Sequence, residues 1–302
     1  MTKDETEVAE TLVAAIDAGY RHIDTAFAYR NEALIGRALQ TVISSGKVKR
    51  EDLFIVTKLP CNGLRPESVE YFFKKSLKDL QLNYIDLYLI HFPVPAQRTD
   101  DDYAIFPMKD GVFLADTVDL TDTWKAMEHL ADKDLAKSIG ISNFNSEQIQ
   151  RVYNAARIKP AVLQVECHAY LPQYELHNFC KNLNIAFTAY SPIGAPGQPE
   201  FKNRDTQEHR LLEDPKLKPI CEKYGKSPAQ ILLRYLTQRG IIVIPKSSNP
   251  RRLKENMQIF DFSLSDEDMN DLKSLARGRR YFTMDSYKGL SDHPEYPFKI
   301  PF

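Results

Sequence analysis

The sequence is short of several things that would narrow its function at once. It has four cysteines, Cys61, Cys167, Cys180 and Cys221, scattered without C-x-x-C spacing, so neither a disulfide scaffold nor a zinc site is expected and a reduced compartment is. Charge of one sign is missing too: the net charge is −1, which offers no electrostatic footprint for nucleic acid or a membrane surface. No hydrophobic run reaches a membrane-spanning length, and the acidic start MTKDETE is unlike a signal peptide. There is no G-x-G-x-x-G fingerprint, which excludes a Rossmann-type cofactor site. Linkers and low-complexity tracts are absent as well. A single cytoplasmic domain over residues 1–302, working as a monomer, is the expectation.

What is present is a recurring alternation. Apolar, β-branched runs lie at 21–24, 52–58, 84–91, 136–142, 161–166, 185–190 and 241–246, as expected of parallel strands buried on both faces. Amphipathic segments lie between them at 66–80, 122–134, 146–157, 172–182, 214–224 and 228–239. Such βα units over 302 residues predict an α/β fold of the (β/α)8 TIM-barrel class. At the start, Thr2 to Glu5 has capping-box spacing, with Val8, Leu12, Ala15 and Ile16 following at helical intervals. The chain therefore opens on a helix. Seven strands are readable, and the eighth would precede residue 1.

Barrel enzymes place their chemistry at the C-terminal ends of strands. Asp24 ends the first run, Lys58 the second and His91 the third, and Tyr29 follows in the first loop. Each alone has a plain explanation: a loop cap, a lysine reaching water, a core histidine. Together they converge, because neighbouring strands lie about 4.8 Å apart. A phenol titrates near pH 10, and a lysine ammonium beside it is expected to lower that value while an aspartate fixes the lysine. His91 could polarise a carbonyl oxygen by donating a hydrogen bond. The set holds no good covalent nucleophile. It suits reduction of a carbonyl with hydride from a cofactor. A metal-dependent hydrolase fits poorly: His22, His91 and His168 sit near strand ends, but no H-x-H pair completes a site, and no metal is expected.

Three longer motifs carry a family resemblance: GYRHIDTAFAYRNEALIG (19–36), KSIGISNF (137–144) and IPKSSNPRRLKEN (244–256). With them the sequence resembles the aldo-keto reductase superfamily, in its aldose-reductase-like branch. The resemblance implies Asp24, Tyr29, Lys58 and His91 as the catalytic tetrad and NADPH as cofactor, with Tyr29 the general acid in the reduction of aldehydes, aldoses among them. It further implies that Ser142, Asn143 and Gln164 hold the nicotinamide carboxamide and that Tyr190 stacks on the ring. Ser191, Ile193 and Gly194 would fall in the loop over the pyrophosphate. Lys246, Ser247 and Arg252 would meet the 2′-phosphate, with Glu255 and Asn256 near the adenine. A solvated basic face is the plain alternative for Lys246, Arg251 and Arg252, but cations are disfavoured at a helix start. Two departures concern substrate choice: Phe92 stands where relatives usually have Trp, and the C-terminal loop up to HPEYPF has no close match. Relatives also carry a segment with the first barrel strand before the first helix. The other reading of the same fold is a cofactor-binding redox sensor or an inactive truncated form.

Overall fold

Local chemistry places the first helix a little later than expected. In the computed structural model, which describes residues 4–196, 210–300 and 302, α1 spans Glu5–Asp17. Its cap is Asp4, whose carboxylate accepts from the Glu7 amide at 2.8 Å. Thr2, the expected capping residue, lies outside the described residues.

The chain divides into two compact units, Met1–Leu163 with Met284–Phe302, and Gln164–Thr283. In the first, β1 (His22–Asp24), β2 (Phe54–Leu59) and β3 (Ile85–Ile90) form a parallel sheet. A small hairpin, β4 (Met108–Lys109) and β5 (Val112–Phe113), precedes β6 (Ala136–Ser142), which pairs with β3. The register sets Asp24 opposite Val56, and Val56 opposite Leu87. Alternation along β2 and β3 then decides the two faces. Val56, Leu87 and Leu89 form one buried apolar cluster, and Lys58 shares their side of the strand. Thr57 and Tyr88, paired in register, point the other way. Gly140 on β6 allows close packing: a Cβ there would come within 2.6 Å of the Val162 carbonyl oxygen.

Helices α2 (Glu32–Ser44), α3 (Pro66–Leu80), α4 (Leu120–Asp132) and α5 (Ser146–Ala155) alternate with these strands. Proline in the first turn starts α3, and Gln81, left-handed at φ 56°, ends it. Asn145 and Gln148 form a capping box on α5. The buried Trp124 of α4 donates its indole N–H to the Ile158 carbonyl at 2.9 Å.

The second unit takes in most of β7 (Val162–Glu166), then α6 (Tyr174–Asn182), β8 (Ala186–Tyr190), α7 (Leu217–Tyr224), α8 (Pro228–Gln238), β9 (Ile242–Val243), α9 (Pro250–Met257) and α10 (Asp266–Lys273). Strands β8 and β9 pair in parallel, Thr188 opposite Ile242. The buried Glu166 at the end of β7 ties down a distant segment. Its carboxylate accepts from the Tyr281 and Phe282 amides at 2.7 and 2.9 Å and pairs with His168 Nε2 at 2.9 Å. All seven expected strands form. The last, expected over 241–246, is ordered as a strand only at Ile242–Val243.

Candidate active site

Asp24 is the final residue of β1, as expected. Lys58 is the penultimate residue of β2 rather than its last, and His91 follows β3. The ladder continues one residue further than the apolar run suggests, and the His91 amide still donates to the Leu59 carbonyl at 3.1 Å. The Lys58 ammonium donates to the Asp24 carboxylate and, at 2.8 Å, to the Thr25 carbonyl. That pair is buried, with Lys58 0% and Asp24 10% exposed.

Tyr29 closes a single 3-10 turn, Phe27–Tyr29, and Arg30 reverses the chain with a left-handed φ of 56°. Its ring meets His91 edge-on, centroids 5.6 Å apart, and the Lys58 ammonium lies 5.2 Å from the ring centroid. The four residues named from sequence are therefore brought together, on three neighbouring strands and one loop.

Their electrostatics differ in one respect from the expectation. Burial pushes the Tyr29 phenol up, Lys58 pulls it down, and the balance stands above the ordinary value rather than below it. Asp24 explains the difference: it compensates the Lys58 charge and leaves burial largely unopposed. Burial likewise works against the Lys58 ammonium, but Asp24 and Tyr29 outweigh it and hold the amine above its usual value. Burial and the Lys58 charge push His91 down to about 3. The resting arrangement is thus a protonated phenol, an ammonium and a neutral imidazole at pH 7. A neutral imidazole donates from one nitrogen only, which suits it to orient a carbonyl oxygen rather than to protonate it.

Ser142 and Asn143, both buried, adjoin this group. Asn143 has a left-handed φ of 63°, and its side-chain amide donates to the His91 carbonyl at 2.9 Å and to Ser142 Oγ at 3.1 Å. Gln164 is buried on β7, and Tyr190 ends β8 with its ring edge-on to Phe282 at 5.6 Å. Ser191 and Gly194 are left-handed, at φ 51° and 78°, and the Gly194 amide closes on the Ser191 carbonyl at 2.9 Å; Ile193 lies within that turn. The exposed Arg252 stands in the first turn of α9, where the Asn249 side chain accepts from its amide at 3.1 Å. Lys246 and Ser247 lie in the loop before it, Glu255 and the buried Asn256 further along the helix. Among the described residues no acidic side chain pairs with Lys246 or Arg252, and the first turn of α9 holds no acid. Two unopposed cations at a helix start fit an anionic group such as a phosphate.

Phe92 begins an apolar cluster directly after His91. Its other buried members include Cys61, Val94, Phe113, Leu290 and Tyr296, with Phe106, Tyr287 and Phe298 among those packed against it. The sequence argument reached Phe92 but not its companions, which come from distant positions. The sequence argument also passed over the Thr25 carbonyl, which holds Lys58 and which no side-chain pattern reveals, and the buried Glu32 beside Thr57. Among the described residues no set of three or more metal-binding side chains converges, and no helix is long and apolar enough to cross a membrane.

Comparison with known proteins gives the family. The model of the Aldo/keto reductase family matches residues 1–277. Aldo-keto reductase family 1 member A1 of Gallus gallus is 48% identical over 304 residues, covering 98% of this chain and 91% of that protein. Prostaglandin F synthase 1 of Bos taurus is 45% identical, covering 97% and 90%. The solved aldose reductase from Schistosoma japonicum superposes with a TM-score of 0.89 at 43% identity, covering 100% of this chain and 93% of that one. The chain belongs to the aldo/keto reductase family: it is an oxidoreductase of the (β/α)8 barrel class that acts on carbonyl groups.

Proposed function

We propose that the protein reduces aldehydes, aldoses among them, to alcohols, with NADPH as cofactor and Tyr29 as the general acid. The observation that carries this reading is the convergence of Asp24, Tyr29, Lys58 and His91. The hydride would come from NADPH when it is bound. His91, neutral, donates a hydrogen bond to the substrate oxygen and orients it beside the phenol. Tyr29 releases its proton to that oxygen as negative charge develops there, and Lys58 stabilises the phenolate left behind. Asp24 keeps Lys58 charged and in place. Ser142, Asn143, Gln164 and Tyr190 serve the nicotinamide, with Ser191, Ile193 and Gly194 at the pyrophosphate. Lys246, Ser247 and Arg252 serve the 2′-phosphate, with Glu255 and Asn256 at the adenine. The unpaired cations of α9 and its preceding loop support NADPH over NADH. Phe92 and its aromatic neighbours support apolar aldehydes as good substrates. The four free thiols, three of them buried, suit a cytoplasmic protein, and we read it as a monomer of one domain.

The test follows loss of NADPH absorbance with glyceraldehyde and with an aromatic aldehyde, alongside NADPH binding. The parent turns over both. Tyr29→Phe loses reduction by about 100-fold or more, since a general acid contributes ~10²–10⁴, and keeps NADPH affinity. A Tyr29→Phe variant reducing at the parent rate refutes the proton-donor assignment. NADPH binding without turnover in the parent marks a sensor instead.

A further inference from the structure

We propose that Glu32 is a positioning residue of the carbonyl reduction, fastening the loop that carries Tyr29 to the strand that carries Lys58. The inference rests on the reading of function given above, in which Glu32 itself has no part. Glu32 is the first residue of α2, three positions after Tyr29, and is 3% exposed. One of its oxygens accepts from the Thr57 hydroxyl and the other from Ser76 Oγ at 2.6 Å; both partners are fully buried. Thr57 immediately precedes Lys58 on β2, and Ser76 belongs to α3. A single carboxyl thus joins the end of the Tyr29 loop, the Lys58 strand and a helix behind them. Tyr88, opposite Thr57 in register, is also buried, and its hydroxyl has no partner among the described residues.

A carboxyl is a costly group for two hydrogen bonds. Buried among apolar residues its charged form is disfavoured, and a glutamine could bond two rotatable hydroxyls without that penalty. What glutamine cannot do is set a negative charge behind Lys58. Burial pushes the Glu32 carboxyl up and Ser76, Thr57 and the Lys58 charge pull it down, the balance standing at about 7. Asp79 on α3 opposes its ionisation, whereas Tyr88 on β3, kept neutral by burial, adds no charge. Arg30 and Tyr103 line the small hollow beside it. Glu32 therefore changes charge in the neutral range, and its ionised form supports the same ammonium that Asp24 holds from the other side of β2.

The experiment compares Glu32→Ala and Glu32→Gln with the parent. Amide exchange of peptides spanning 24–31 is measured without turnover, and kcat and KM are measured for an aromatic aldehyde with NADPH from pH 5.5 to 9. Glu32→Ala speeds exchange in 24–31 by about tenfold or more, beyond any change in α4 and α5. It lowers kcat by roughly 10- to 100-fold, the range a misplaced catalytic group costs, with KM and NADPH affinity little changed. Glu32→Gln keeps the loop protected but loses the parent's inflection of kcat near neutral pH, on whose acid side the parent is slower. Exchange that rises equally throughout the first unit, or a Glu32→Gln profile superimposable on the parent's, overturns the proposal. Should Glu32→Ala not fold, the Glu32→Gln profile decides alone. A parent that reduces no aldehyde sinks the functional reading, and the exchange result then decides whether Glu32 holds the loop.

Discussion

Replacing Asp24 with Asn leaves the shape of the site nearly intact and removes one charge. Lys58, fully buried, then keeps its hydrogen bond to the Thr25 carbonyl at 2.8 Å but has lost its counter-ion. Removing one partner of a buried ion pair costs about 3–5 kcal/mol, mostly the penalty of the charge left behind. For a chain of this length each kcal/mol shifts the melting temperature by about 2 °C, so Asp24→Asn should melt roughly 6–10 °C lower at pH 7. The pH dependence gives a sharper check. In the parent, Lys58 stands above its ordinary 10.5, so its contribution is complete below that pH and is lost only as pH rises through the higher folded value. In the variant burial acts without Asp24 and brings the amine below 10.5. The penalty is then present at low pH and relieved as the lysine loses its proton. The gap between variant and parent should therefore narrow steadily from pH 7 to pH 10. The double variant Asp24→Asn/Lys58→Met, with no charge to bury, should recover most of the loss. Thermal melts of the three proteins across that range are sufficient. An Asp24→Asn protein within about 1 kcal/mol of the parent at pH 7, or a gap constant with pH, refutes the buried-pair account.

Two other outcomes follow from the second unit. Arg252→Ala should weaken NADPH by about 10- to 100-fold, the worth of a charge-assisted hydrogen bond, and leave NADH within ~3-fold; calorimetry with both cofactors decides, and equal losses would remove Arg252 from the 2′-phosphate. Glu166→Gln should lower the melting temperature by roughly 2–6 °C, because its amide N–H faces a backbone donor at Tyr281 or Phe282 and leaves a buried N–H unsatisfied. Amide exchange at 281 and 282 should rise with it, and unchanged exchange there would show that Glu166 does not secure the segment.

Strands were legible because burial on both faces writes itself as a continuous apolar run, and the site because ionisable residues interrupt such runs at their ends. Where the pattern is weaker, the reading failed for identifiable reasons. Helix α2 has Leu34, Ile35, Ala38, Leu39 and Val42 at helical spacing, yet Gly36 interrupts it, a residue that costs about 1 kcal/mol in a helix. Packing explains that glycine: a Cβ there would come within 2.2 Å of the Asp79 carbonyl oxygen on α3. The β4–β5 hairpin was passed over, although Asp110-Gly111, left-handed at φ 51° and 76°, is a hairpin-turn pair. Helix α10, Asp266–Lys273, has only Met269 and Leu272 to mark a face. Glu32 hid in plain view, because an acid in the first turn of a helix ordinarily needs no further explanation. The raised Tyr29 phenol was beyond any pattern. Its sign depends on a contest between burial and compensated charge that only the assembled neighbourhood decides.

Asn143 shows how few letters such a neighbourhood can leave to chance. Its left-handed backbone admits glycine, asparagine and aspartate at low cost and little else. Its bond to the His91 carbonyl requires a donor. Glycine satisfies the first demand and fails the second; aspartate does the same, with an added charge. Glutamine offers the donor but not the backbone. The two requirements share one solution among the twenty side chains. A random replacement at this position therefore shifts the support of His91 before it touches any substrate.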